Sequence, residues 1–331
     1  MSSTIEALRA FAAQAPHRIA VRSAHEWLTY RTLEQRANEM AQQLEARDVG
    51  VAALVADNSP EWLVIDLAAQ LTGTALVPLP PFFTREQIAH ALANSRADTL
   101  LADPRLQALR ELGFDTRGRL GASDGALAWC RLRASSVSPL PAGTAKVSYT
   151  SGTTGAPKGV CLRQASMDAV ADSLRRAVAD LGVTRHLCVL PLATLLENIA
   201  GVYAPLMNGA EVVVPSATET GLLGAARFDP AALLRCVDTY SAESMILVPQ
   251  LLAALVAALE RGTPRPRSWA SCSLRAAWSL SVSPGSFAAQ AGSFHHLSSS
   301  SDSRRRLSAS APADRAWRTP SLRPPPVRTA T

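Results

Sequence analysis

The chain has five cysteines, Cys130, Cys161, Cys188, Cys236 and Cys272, and no two of them stand as a C-x-x-C pair. An odd set without paired spacing argues against a disulfide framework or a zinc ribbon, and points to reduced, mostly buried thiols in a cytoplasmic protein. No metal-ligand set is expected. Long hydrophobic runs are missing as well: the longest, Met245 to Leu259, is broken by Pro249 and Gln250. It falls short of the roughly 20 apolar residues a spanning helix needs, so no membrane span is expected. The N-terminal run MSSTIEALRAFAAQAPHRIAV lacks a basic segment leading into an apolar one and does not read as a secretory signal.

The body also lacks a charge excess. Residues 268–331 hold eight Arg, no Lys and two Asp (Asp302 and Asp314), which accounts for the whole formal charge of +6 and leaves 25 basic against 25 acidic residues in 1–267. Nothing in that balance suggests nucleic acid or an anionic surface as a partner. What is present, 331 residues at 47% hydrophobic and 18% charged, suits a globular chain of one large α/β unit or two domains.

The periods alternate. Leu33, Ala37, Met40, Ala41 and Leu44 share one helical face, Val51 to Val55 reads as a buried strand, and Ser59-Pro60 as a cap and first turn for a helix to about Gln70. Thr84 to Gln87 has capping-box spacing before Ile88, Ala91 and Leu92, and Thr99 to Leu101 supplies the next strand. This β-α-β-α-β order predicts mainly parallel pairing, with loops at the C-terminal ends of the strands free to hold ligands. Residues 104–142 give no assignable pattern. Beyond Val160 a helix is predicted near Met167 to Leu181, a strand at Leu187 to Leu190, a helix at Glu197 to Met207 and a strand at Val212 to Val214. A helix opening at Asp229-Pro230, a strand at Met245 to Val248 and a helix over Leu251 to Leu259, stopped by Gly262, complete the regular text. The fold class is therefore α/β, with layered, mainly parallel sheets and flanking helices. After about 263 the composition turns to Ser, Arg, Ala and Pro, as in SSSSDSRRR, with no sustained period. A disordered tail over 263–331 is expected, either natural or the product of a shifted reading frame; its onset in mid-domain favours the second.

The run Tyr149-Thr-Ser-Gly-Thr-Thr-Gly-Ala-Pro-Lys158 carries the chemistry. Thr150, Ser151, Thr153 and Thr154 offer hydroxyl donors, Gly152 and Gly155 let backbone N–H groups approach an anion, and Lys158 adds charge, so the loop is suited to phosphate. Two residues separate Gly155 from Lys158, which excludes the G-x-x-x-x-G-K-[ST] loop of P-loop enzymes. Among the histidines, His186 reads as structural and the pair His295-His296 lies in the tail; the Leu251 to Leu259 stripe reads as core packing.

This loop resembles the phosphate-binding signature of the acyl-adenylate-forming superfamily, which includes acyl-CoA synthetases and peptide-synthetase adenylation domains. Leu28 to Leu33, Asn58 to Trp62, Gly73 to Pro78, Leu190-Pro191-Leu192 with Glu197-Asn198, Gly209 to Val214 and Val248-Pro249 look like further landmarks of that family in order, so the resemblance covers about 28–262. It implies a large N-terminal AMP-binding domain over 1–262, incomplete at its C-terminal side, with the family's small C-terminal domain and its later motifs not found. It also implies ATP, magnesium and coenzyme A as cofactors. A carboxylic acid, fatty acyl in the first reading, would be converted to an acyl-adenylate and passed to the thiol of coenzyme A or of a carrier protein. Thr150, Ser151, Gly152, Thr153, Thr154, Gly155 and Lys158 would hold the β- and γ-phosphates, with Lys158 stabilising charge in catalysis. Ala193 and Thr194 would line the acyl pocket, where they fit an aliphatic chain. An amino or aryl acid loaded on a carrier protein, or a remnant without catalysis, are the other readings. Glu197 could serve an ammonium in the first of these, or simply open a helix.

Overall fold

The computed structural model describes residues 2–106, 118–121, 127–132, 139–150, 157–224, 227–267 and 276–279. Helix α1 (Ser3–Gln14) leads to the strands β1 (Ile19–Arg22) and β2 (Trp27–Thr29), then α2 (Tyr30–Glu45), β3 (Val51–Val55), α3 (Pro60–Thr72), β4 (Ala75–Leu79), α4 (Arg85–Ser95) and β5 (Thr99–Ala102). The strands β6 (Gly118–Leu120), β7 (Leu127–Arg131), β8 (Thr144–Thr150) and β9 (Lys158–Arg163) precede α5 (Gln164–Val178) and β10 (Arg185–Leu187). A π-helical stretch, Glu197–Tyr203, runs into the short α6 (Ala204–Met207) and β11 (Glu211–Val213). The hairpin β12 (Leu222–Leu223) and β13 (Arg227–Phe228), then α7 (Pro230–Tyr240), β14 (Ser244–Leu247), α8 (Pro249–Glu260) and β15 (Ala276–Ser279) follow.

Local chemistry sets the helix starts. Ser59 accepts from the Trp62 N–H with Pro60 in the first turn, Thr84 and Gln87 form a reciprocal capping box, and Asp229 accepts from the Ala231 N–H ahead of α7. α3 is buried at ten successive residues, Pro60 to Ala69, so it runs inside the core and its Asp66 must find a partner there.

Two larger sheets form the layers. One has the order β6-β7-β5-β3-β4-β8-β9, with β5, β3, β4 and β8 parallel and β7, β6 and β9 antiparallel at its two ends. The other has the order β15-β14-β10-β11-β1-β2 and is parallel except for β2. The predicted layered α/β class and the β-α-β-α-β stretch are both found.

Some boundaries differ from the sequence reading. The strand expected at Leu187 to Leu190 ends at Leu187, because Val189, Leu190 and Pro191 leave the sheet to line a cavity. The helix expected from Glu197 opens as seven residues of π-helix. The unassigned stretch 104–142 supplies the antiparallel edge β6-β7. α1 and β1 extend the fold upstream of Leu28: the Tyr30 hydroxyl donates to the carbonyls of Leu206 and Ala210 at 3.2 and 2.9 Å, and the Phe11 ring packs on Tyr30. Of the tail expected to be disordered over 263–331, residues 263–267 are described and 276–279 form β15, paired parallel with β14; the rest lies outside the described residues. Among the described residues no helix is long and apolar enough to cross a membrane. Cys130, Cys188 and Cys236 are buried thiols and Cys161 is exposed.

Candidate active site

A cavity of about 810 Å³ opens where the parallel strands of both sheets end. Asp57 and Asn58 reach it from beyond β3, Pro81 and Phe82 from beyond β4, Val189 to Pro191 from beyond β10, Ala217 from beyond β11, and Val248 and Gln250 from beyond β14. Asn58 ties the two sheets together: its Nδ2 donates to the Leu190 carbonyl at 3.0 Å, and its Oδ1 accepts from the Leu192 N–H at 2.8 Å. Asp57 accepts from the N–H groups of Asn58 and Ala217, at 2.8 and 3.1 Å. Burial pushes its carboxyl above the usual range, and these two N–H groups pull partly against that. The remaining wall is mainly apolar, with Leu222, Phe228, Leu251 and Ala254.

Two of the residues expected to hold phosphate, Thr150 and Lys158, sit at the same end of the first sheet. Thr150 closes β8 and stands opposite Lys158, the first residue of β9, so the structure brings these two together as the base of a hairpin. Ser151, Gly152, Thr153, Thr154 and Gly155 lie outside the described residues. β8 runs parallel to β4 with Leu76 opposite Lys146, so four residues on along both strands Pro80 is level with Thr150, one residue short of the cavity wall at Pro81. Lys158 is exposed. The hairpin's flank is fixed by Tyr149, whose hydroxyl reaches the Ala91 carbonyl at 3.1 Å and the Asn94 side chain at 3.0 Å. Burial pushes that phenol up to about 12. His90 Nε2 is 3.1 Å from the Pro157 carbonyl.

Ala193 and Thr194 were expected in the acyl pocket, but the wall is built from the three residues before Leu192. Ala193 is buried, and the Thr194 hydroxyl donates back to the Pro191 carbonyl at 2.5 Å, closing a turn. Leu251 and Ala254 of the α8 stripe line the cavity while Leu255 packs in the core. Asp57, Arg227 and Gln250 were not singled out from sequence; Asp57 carried a usable signal, being a polar residue just past the end of a predicted strand.

The described residues also hold two buried polar clusters. In one, Lys146 Nζ on β8 donates to Asp66 Oδ1 at 2.7 Å, to the Tyr203 hydroxyl at 2.8 Å and to Asn198 Oδ1. Asp66 Oδ2 accepts from Asn198 Nδ2 and from the Tyr203 hydroxyl, at 3.0 and 2.7 Å. Burial pushes the Lys146 ammonium below its ordinary value, and Asp66 pulls it back. In the other, His186 Nδ1 is 2.8 Å from Ser244 Oγ and His186 Nε2 is 3.5 Å from Glu197 Oε1, while Glu197 Oε2 accepts from the Leu190 N–H at 2.9 Å. Glu197 opens its helix, as one sequence reading had it, but wholly buried.

Comparison with known proteins is consistent with this geometry. The family described as AMP-binding enzyme matches residues 8–313. Tyrocidine synthase 3 of Brevibacillus parabrevis is 30% identical over 253 residues, which is 73% of this chain and 4% of that relative's own length. The structure of the amide bond synthetase McbA of Marinactinospora thermotolerans superimposes with a TM-score of 0.58 at 26% identity, covering 79% of this chain and 52% of that one. The o-succinylbenzoate coenzyme A synthetase of Bacillus subtilis, in complex with AMP, shares the fold at a TM-score of 0.59 and 23% identity, covering 84% and 68%. The chain thus spans a small part of its curated relatives and half to two thirds of these solved structures. With the match running over nearly its whole length, the chain belongs to the AMP-binding enzyme family.

Proposed function

We propose that the chain carries the ATP-dependent activation of a carboxylic acid, in the cytoplasm. A carboxylate oxygen of the substrate attacks the α-phosphorus of ATP, the bond to the β-phosphate bridging oxygen breaks, and pyrophosphate leaves with the electron pair. A thiol of coenzyme A or of a carrier protein then attacks the acyl carbon, loses its proton and displaces AMP. Such chemistry asks for oriented donors at phosphoryl oxygens more than for covalent help from the protein. The observation that carries the reading is the adjacency of the Thr150–Lys158 hairpin to the cavity, through β4, at the ligand-binding end of the sheet. Thr150, Ser151, Gly152, Thr153, Thr154, Gly155 and Lys158 are assigned to the β- and γ-phosphates, and Lys158 to charge stabilisation. Magnesium would arrive with the phosphates as part of the substrate: Asp57 is the one carboxylate among the described cavity residues, and its oxygens already accept two backbone N–H groups.

Leu190, Leu222, Phe228 and Leu251 favour an apolar acid, fatty or aryl. A second reading, an amino acid destined for a carrier protein, is favoured by Asp57, a carboxylate in the cavity wall that could face an ammonium, and by the likeness to a peptide synthetase. Pyrophosphate–ATP exchange with fatty, aryl and amino acid panels tests both. Exchange with one class, reduced at least tenfold in Lys158→Ala at unchanged thermal stability, supports activation and picks the substrate. No exchange with any class by the folded chain overturns it.

A further inference from the structure

His186 and Cys188 lie two residues apart on and just beyond β10, and the π-helix brings Glu197 against them. All three are buried, with Cys188 and Glu197 at 0% exposure and His186 at 3%. One donor atom from each lies within 4.8 Å of the others. Among the described residues His186 Nε2 and Glu197 Oε1 have no hydrogen-bond partner although both are out of solvent, and they face each other at 3.5 Å. When His186 Nδ1–H donates to Ser244 Oγ, Nε2 is left as a lone pair facing a carboxylate oxygen. In that tautomer two acceptors face each other in a dry site, and a cation between them satisfies both.

We propose that this cluster is a structural site for a divalent cation of zinc-like softness, held by His186 Nε2, Cys188 Sγ and Glu197 Oε1. Donors at about 2.0–2.3 Å from a tetrahedral zinc lie roughly 3.3–3.7 Å from one another. The His186–Glu197 separation already meets that, and the Cys188 thiol stands in the same group of donors, all within 4.8 Å of one another. The Gly201 carbonyl, which accepts from the Cys188 thiol at 3.6 Å, is the candidate fourth ligand. On binding, the Cys188 thiol gives its proton to solvent; thiolate and carboxylate then cancel the two positive charges, so the buried assembly is neutral. Ser244 holds the imidazole by its other nitrogen, as outer partners of metal-bound histidines do. Gly201 is required beside them because a Cβ there would collide with the Glu197 carboxylate. The site would pin β10 to the π-helix and, through Glu197 Oε2 and the Leu190 N–H, hold one wall of the cavity.

The test uses the full chain, stripped with a chelator and titrated with zinc and with cobalt. One equivalent of zinc retained through gel filtration, a raised melting temperature, and a cobalt–thiolate charge-transfer band that is absent in Cys188→Ser support the site. A stripped wild-type chain that is folded by circular dichroism but shows neither band nor thermal shift overturns it, with a proton shared by His186 and Glu197 as the occupant. A band that survives Cys188→Ser overturns it too, by placing the metal elsewhere.

Discussion

The two buried polar clusters are built from similar parts and solve the same problem differently. Around Lys146 one cation and one carboxylate are surrounded by neutral groups, and every donor and acceptor finds a partner. Around His186 the carboxylate spends one oxygen on a backbone N–H and leaves the other facing a ring nitrogen without a hydrogen bond. Burial is equal in both, so the difference lies in closure. A closed network converts buried charge into a rigid joint, here between β8, α3 and the π-helix, whereas an open one keeps a place for something else.

Breaking the closed network should give the largest effect. Lys146→Met leaves Asp66 as an uncompensated buried charge and is expected to cost about 3–5 kcal/mol, read as a lower urea midpoint at unchanged slope. The same carboxylate-to-amide change made in each cluster sharpens the contrast. Asp66→Asn removes the counter-charge of a buried ammonium and should destabilise by about 2 kcal/mol or more. Glu197→Gln keeps an oxygen for the Leu190 N–H and offers its NH₂ to His186 Nε2, so the metal-free chain should change by less than about 1 kcal/mol. Equal losses in the two would refute the distinction between closed and open.

Smaller effects bear on the cavity, where a third carboxylate is partly buried. The Asp57 carboxyl is raised in the folded chain, so between its unfolded value, 3.8, and that raised value the folded state binds more protons. Its contribution is therefore fully present below the unfolded value and lost as pH rises through the folded one. Asp57→Asn should remove that slope from an unfolding-versus-pH series. Away from the cavity, Tyr30→Phe deletes one hydroxyl shared by two carbonyls and should cost about 1 kcal/mol in the same urea assay.

Much of the first sheet was legible because its signals are local. Ser59 with Pro60, the Thr84 box and the Val51 to Val55 run each act within a few residues, and all fell where predicted. β9 was not legible: Lys158–Arg163 is an exposed edge strand, held by its hairpin partner and not by a buried face, so no period marks it. Asp66 and Lys146 are 80 residues apart, and nothing in either neighbourhood announces their contact. The candidate site divides the same way. The Thr150 to Lys158 loop is one continuous text, while the cavity wall is assembled from the ends of five strands whose adjacency only the sheet order supplies. His186, Cys188 and Glu197 spread over twelve residues without ligand spacing, and a π-turn, which no simple period predicts, brings the last of them in.

β1 sits between β2 and β11, with Val21 opposite Val212. The seven-stranded sheet is drawn from residues 51–163 without a break, so it can assemble as the chain leaves the ribosome. The six-stranded sheet cannot: a nascent chain that stops short of Glu211 holds its first strand with a hairpin mate and no parallel neighbour. Long-range parallel pairing of this kind is slow to form and leaves an unpaired edge while it waits. β1 is thus locked in parallel pairing only after the seven-stranded sheet has all its strands, and until then it is an edge open to mispairing.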